Sequence, residues 1–362
     1  MFLNRILVSL AAAQCGHCWK YATENEFRTS LGQDVPALIA FVNVSTSQPH
    51  DSILLTEQRS NPSLASIGFE PEWDSIREKH LNTISVNCIR NRKLCDETEI
   101  SSFPTIRLYG TNGTMQRYRG PRRAKDIMAF VQRMKRPTIS ELKDEAVESF
   151  HKGDGIVFVA RLAPYDESLR VRFDNLATHY RDRYSFGLAH TSVPDSSVSC
   201  YNNIDSLQFN ANDLSSVDAL QTLVHRCKTP LVALLTRRNE IDYLSGGKSL
   251  VYFFTSDDVR RDEYVTEIRP LAKRFSEYLT FVTVDSSEYA DMLLGLGLAK
   301  DASEGLALQN PQTGHAFPHN GRINAETVEQ FIVDISEGNV QPWNGQMPVV
   351  SQEEENTSHD EL

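Results

Sequence analysis

The sequence predicts an α/β protein of three tandem units, each a central mixed sheet flanked by helices. Amphipathic helical patterns occur at 125–131, 217–224 and 326–332, each followed by a proline, Pro137, Pro230 and Pro342. Upstream of each lies a β-rich run, at 83–87, 185–189 and 279–285. The helical patterns repeat at intervals of about 92 and 109 residues, the size of a small α/β domain. Strands alternating with helices imply a sheet covered on both faces.

At the N-terminus, Arg5, the apolar run Ile6-Leu7-Val8-Ser9-Leu10 and Ala11-Ala12-Ala13 have the charge, hydrophobic stretch and small-residue site of a secretory signal peptide. Residues 1–13 are therefore expected to be removed. The rival reading makes 6–10 a buried strand that delivers the chain to Cys15-Gly16-His17-Cys18. In either case the two cysteines have the spacing of an exchanging dithiol, in which one thiol attacks a client disulfide and the other resolves the mixed disulfide. A zinc site would need a second Cys or His pair at matching spacing, and the sequence offers none. No metal and no cofactor is expected.

The last four residues, His359-Asp360-Glu361-Leu362, form a retrieval signal for the endoplasmic reticulum lumen, read by a receptor. A signal peptide and that motif both point to an oxidising compartment. The chain has 362 residues, 40% of them hydrophobic, which is ample for several packed cores. Its formal charge of −11 argues against nucleic acid as a partner. No apolar run approaches the roughly 20 residues of a membrane span. The partners expected are unfolded or misoxidised secretory proteins and the retrieval receptor.

Several motifs together resemble the protein disulfide isomerase family: Cys15-Gly16-His17-Cys18, Pro71-Glu72-Trp73, Val86-Asn87-Cys88 followed by Cys95, Ser102-Phe103-Pro104-Thr105, and Tyr118-Arg119-Gly120-Pro121-Arg122. The resemblance implies thioredoxin folds in an a unit at 14–136, a b unit at 137–228 and a b′ unit at 229–341, then an acidic tail at 342–362. It implies disulfide isomerase or oxidoreductase chemistry in the a unit, with Cys15 attacking, Cys18 resolving and His17 stabilising the Cys15 thiolate. It also implies a cis-proline at Pro104 and client binding in b′, where Leu250, Tyr252, Phe254 and Ile268 are expected to line the pocket. A second catalytic unit would be expected and is not seen after Pro342.

The first unit departs from the family pattern. There a strand runs into the dithiol, and a Pro-Glu-aromatic run comes about five residues after the second cysteine. Here residues 19–27 read as an opening strand and first helix, and 35–42 as the strand that should deliver the active site. The next residues are Asn43-Val44-Ser45-Thr46-Ser47, with no cysteine until Cys88. A polar stretch within 43–70 makes this connection longer than the family's, and a loop of such length inside a compact domain is unusual. Three readings stand open. The dithiol is the working site, with 6–10 as its strand; or the unit is redox-silent with an accessory dithiol; or residues 44–62 come from a faulty gene model. The second reading makes the protein a chaperone or retention factor that holds clients through b′ without exchanging disulfides.

Cys88 and Cys95 read as a structural disulfide closing a short loop in this compartment. Cys200 and Cys227 either pair or stay reduced, which spacing does not decide. Glycosylation sequons start at Asn43, Asn112 and Asn356, and Asn112 lies in the turn Gly110-Thr111-Asn112-Gly113.

Overall fold

The structure is a computed structural model that describes residues 19–44, 63–79, 82–190 and 195–345. The signal sequence, the dithiol Cys15 to Cys18, most of the polar stretch, Asn356 and the motif at 359–362 lie outside the described residues. Contacts divide the chain into two compact units: one runs to Cys200 and includes Asn210–Leu220, the other comprises Tyr201–Phe209 and the chain from Gln221 onward.

The first sheet has the order β2-β1-β3-β4, from β1 (Ala37–Val42), β2 (Thr83–Asn87), β3 (Thr105–Tyr109) and β4 (Met115–Arg117). Its helices are α1 (Glu24–Leu31), α2 (Leu64–Gly68), α3 (Glu70–Arg77), α4 (Arg92–Glu97) and α5 (Ala124–Lys135). β1 pairs parallel with β2 and antiparallel with β3, so the sheet is mixed. Every residue of β1 is buried, because the strand is covered on both faces. Leu38, Ala40 and Val42 pack in one layer with Trp73, Ile127 and Phe130, while Ala37, Ile39 and Phe41 pack in the other with Phe27, Val86 and Leu94.

Local chemistry fixes the helix ends. Thr23 caps α1 in a capping box: its hydroxyl accepts from the Glu26 amide, and the Glu26 carboxylate accepts from the Thr23 amide at 2.7 Å. In Pro71-Glu72-Trp73, proline sits in the first turn of α3 and tryptophan is fully buried. The Glu72 carboxylate accepts from the Ala124 amide at 2.6 Å, satisfying one of the amides at the start of α5. Tyr118 donates its hydroxyl to the Pro121 carbonyl at 2.6 Å. A Cβ on Gly120 would lie 2.5 Å from that hydroxyl, which is why glycine comes after Tyr118-Arg119.

The second sheet has the order β5-β7-β6-β8-β9, from β5 (Ser140–Leu142), β6 (Ile156–Leu162), β7 (Ser185–His190), β8 (Ser197–Asn202) and β9 (Leu207–Asn210). Its helices are α6 (Asp144–His151), α7 (Glu167–Tyr180) and α8 (Ala219–Lys228). Within the first compact unit, Arg133 at the end of α5 places Nη1 3.0 Å from both carboxylate oxygens of Asp154, and Ser185 donates to the same carboxylate at 2.6 Å. Both side chains of the ion pair are over nine-tenths buried, so removing either partner would strand a desolvated charge.

The third sheet has the order β10-β12-β11-β13-β14, from β10 (Val232–Leu234), β11 (Ser249–Thr255), β12 (Leu279–Val284), β13 (Glu304–Gln309) and β14 (Ala316–His319). Its helices are α9 (Glu240–Leu244), α10 (Asp258–Arg274), α11 (Ala290–Gly295) and α12 (Ala325–Ser336). β11 again alternates between two layers. Val251 and Phe253 pack with Tyr264, Ile268 and Leu271 of α10, and Leu250, Tyr252 and Phe254 pack on the other face with Val282, Leu293 and Leu298.

Candidate functional site

In the first sheet, the C-terminal end of β1 gathers the groups that could form a site. Val42 pairs with Asn87, and the Cys88 amide donates to the Val42 carbonyl at 2.9 Å. Phe41 lies opposite Thr105, which places Pro104 at the same end. The Phe103–Pro104 peptide bond is cis. Beyond Val42 the chain reaches Asn43, whose carbonyl accepts from the Ser63 amide at 2.9 Å and whose amide donates to the Ser66 hydroxyl at 3.3 Å. Ser63 caps α2, and its hydroxyl accepts from the Ser66 amide. The strand that runs into the α2–α3 helices is therefore β1, and the residues at the helix start are Ser63-Leu64-Ala65-Ser66.

This tetrad decides what the end of the sheet can do. Counting five residues back from Pro71 reaches Ser66, the place where the resemblance expects the second cysteine, and Ser63 stands where it expects the first. A serine hydroxyl neither ionises near neutral pH nor forms a disulfide, so these two side chains cap and brace the helix. Sequence reading missed this pair. The signal was the distance from Pro71, obscured by the polar stretch between Asn43 and Ser63.

The chain enters the same sheet from the other end. Tyr21 forms a parallel bridge to Ser85, the Ala22 amide donates to the Ser85 carbonyl at 2.8 Å, and Ser85 donates its hydroxyl to the Lys20 carbonyl at 2.8 Å. In a parallel pair, residues before Tyr21 correspond to those before Ser85. Lys20 accordingly borders a cleft with Arg77, Asn82 and Thr83, at the end opposite Asn87 and Pro104. Trp19 is buried beside Tyr21 and Phe69 and anchors the chain at this point. Cys15, His17 and Cys18 precede that anchor and lie outside the described residues.

Cys88 and Cys95 form a disulfide across the β2–α4 connection, with both residues buried. Cys200 and Cys227 are also disulfide-bonded and fully buried. Replacing Cys88 and Cys95 together by Ala is expected to lower stability by about 2 kcal/mol, the loop-closure value for so short a bridge. Denaturant melts of the two proteins measure it. Neither thiol should alkylate in the native protein without reductant, and rapid labelling would show the bond to be absent in solution.

The four residues expected to line a client pocket do not form one. Leu250, Tyr252, Phe254 and Ile268 are all fully buried, and Ile268 belongs to the layer opposite the other three. Burial pushes the Tyr252 phenol up to about 12, and its hydroxyl meets Gln309 at 3.2 Å. The apolar periodicity that suggested a lining is the signature of packed core on both faces of β11. Among the described residues, no group of three His, Cys, Asp or Glu side chains is placed to hold a metal, and no helix is long and apolar enough to cross a membrane.

Three sheets with flanking helices, the first and third of them mixed, make this a protein of thioredoxin-like modules, and comparison with known proteins agrees. The thioredoxin family model matches residues 68–133, starting just after Ser66, and the thioredoxin-like domain model matches 165–334. The chain is 22% identical over 295 residues to the protein disulfide-isomerase of Aspergillus niger, covering 79% of this chain and 57% of that protein. It is 23% identical over 295 residues to that of Humicola insolens, covering 79% and 58%. The crystal structure of human ERp44 aligns over 89% of this chain and 92% of that one, with 16% identity and a TM-score of 0.34. The chain carries thioredoxin-like domains and is similar to protein disulfide isomerases over most of its length. It spans somewhat over half the length of the curated relatives it matches.

Proposed function

We propose that this protein exchanges thiols and disulfides on folding secretory proteins in the endoplasmic reticulum lumen, with Cys15 as nucleophile and Cys18 as resolving thiol. One observation carries the assignment of residues. All four cysteines among the described residues are buried in disulfides, and of the six in the chain that leaves Cys15 and Cys18. Cys15 attacks as its thiolate, which a protonated His17 stabilises; the client disulfide breaks, and Cys18 then displaces the client sulfur. Pro104 stands at the C-terminal end of β1, where the resemblance places client docking. The motif at 359–362 supports luminal retrieval.

Ser63 and Ser66 favour a second reading, in which the protein holds clients without exchanging their disulfides. Among the exposed apolar side chains that a client could then meet are Ile241 and Leu244, one helical turn apart on α9 and exposed by 73% and 40%. Refolding of scrambled ribonuclease by the full chain separates the two readings. Catalytic turnover is expected; suppressed aggregation without turnover would contradict it. Phe254→Asp is expected to unfold the third sheet, by more than about 4 kcal/mol, because it buries an unpaired carboxylate in a packed layer. Circular dichroism would detect the loss, and a folded variant would contradict the core assignment.

A further inference from the structure

We infer that Asn112 carries an N-linked glycan and that Asn43, despite its sequon, does not. This rests on the luminal reading above and adds a modification site to it.

Asn112 lies in the exposed turn between β3 and β4. The turn is closed by residues 110–114 alone. The Gly110 amide donates to the Thr114 carbonyl at 2.8 Å, the Gly113 amide donates to the Gly110 carbonyl at 3.1 Å, and Gly113 has φ of +76°. Only glycine adopts that φ without strain. Gly110 is required for a different reason, since a Cβ there would lie 2.7 Å from the Thr114 hydroxyl and 2.9 Å from Asn112 Oδ1. Within the turn, Asn112 Oδ1 accepts from the Thr114 hydroxyl at 2.6 Å and from the Thr114 amide at 3.2 Å. The two sequon side chains are thus joined by a hydrogen bond, and Oδ1 is held toward the backbone. Nδ2 makes no hydrogen bond among the described residues and is left to solvent. Because every contact is local, this geometry can form on the nascent chain before the sheet does.

Asn43 has the opposite surroundings. Its backbone amide and carbonyl are engaged by Ser66 and Ser63, and its Oδ1 is buried without a hydrogen-bond partner. The side chain is half-buried where β1 meets the start of α2, in contrast to the exposed Asn112. Asn43 also has no local hydrogen-bonded turn among the described residues like that of Asn112, and once β1 and α2 have joined its side chain is half-buried.

The donor class is an oligosaccharide on a lipid pyrophosphate. Nδ2 of Asn112 forms a bond to the anomeric carbon, the bond from that carbon to the pyrophosphate oxygen breaks, the lipid pyrophosphate leaves with the electron pair, and Nδ2 loses one proton. No oxidation or reduction is involved.

The test expresses the full chain in eukaryotic cells and combines three readouts. These are gel mobility before and after peptide N-glycosidase, peptide mass mapping for the Asn-to-Asp conversion that the enzyme leaves, and protease protection of sealed microsomes. One glycan at Asn112 and none at Asn43 is expected, and both Asn112→Gln and Thr114→Ala should abolish it. A protease-protected chain with Asn112 unmodified, or modified only at Asn356 or Asn43, overturns the inference while leaving the luminal reading standing. A chain digested by external protease overturns both, and the protection readout tells the cases apart.

Discussion

Cys15→Ser is expected to reduce refolding of scrambled ribonuclease to the uncatalysed rate, because the four cysteines among the described residues are held in disulfides and Cys15 is the proposed nucleophile. Cys18→Ala should instead accumulate client-linked mixed disulfides, since attack still occurs and resolution does not. These species are visible as reductant-sensitive bands after acid quenching. Ser63→Ala and Ser66→Ala should leave turnover unchanged. Loss of the Ser63 cap is expected to cost about 1 kcal/mol, and Ser66→Ala removes the hydroxyl that receives the Asn43 amide. Turnover that survives Cys15→Ser would refute the assignment.

Deleting His359 to Leu362 is expected to move the protein from the cell to the medium, because retrieval depends on a receptor reading those four residues. Immunoblots of medium and cell fractions measure the distribution. Nearly all of the parent should remain cell-associated and most of the deletion variant should be secreted. Equal retention of the two would contradict luminal cycling.

Much of the fold is legible in the sequence. The β-rich runs at 83–87, 185–189 and 279–285 fall on β2, β7 and β12, and the patterns at 125–131 and 326–332 fall inside α5 and α12. They are legible because a strand covered on both faces must be apolar nearly throughout, and a helix covered on one face must show a 3.6-residue period. The same rules do not reveal depth. Leu250, Tyr252 and Phe254 have the spacing of one strand face, which is compatible with a pocket wall or with solid packing, and only the opposing side chains Val282, Leu293 and Leu298 decide for packing. Ile268 could not be assigned to a face of the sheet until the crossover from β11 through α10 to β12 was known.

The candidate site is legible as chemistry and not as position. Cys15-Gly16-His17-Cys18 is plain in the sequence and lies outside the described residues, and the point where the following chain joins the sheet, the parallel bridge of Tyr21 to Ser85, is a long-range contact that no local pattern encodes. Ser63 and Ser66 escaped notice because serines in a polar stretch carry no periodic signal. Their place becomes evident from Pro71 and from the hydrogen bonds of Asn43.

The most direct test of the account is redox titration of the protein isolated from cells, equilibrated over a series of glutathione ratios, alkylated and mapped by mass. The mature chain should contain the peptide at 14–20 with Cys15 and Cys18 interconverting between dithiol and disulfide, while Cys88, Cys95, Cys200 and Cys227 stay bonded throughout. A mature chain that begins after Cys18, or a Cys15–Cys18 pair that does not change state across the series, would contradict it.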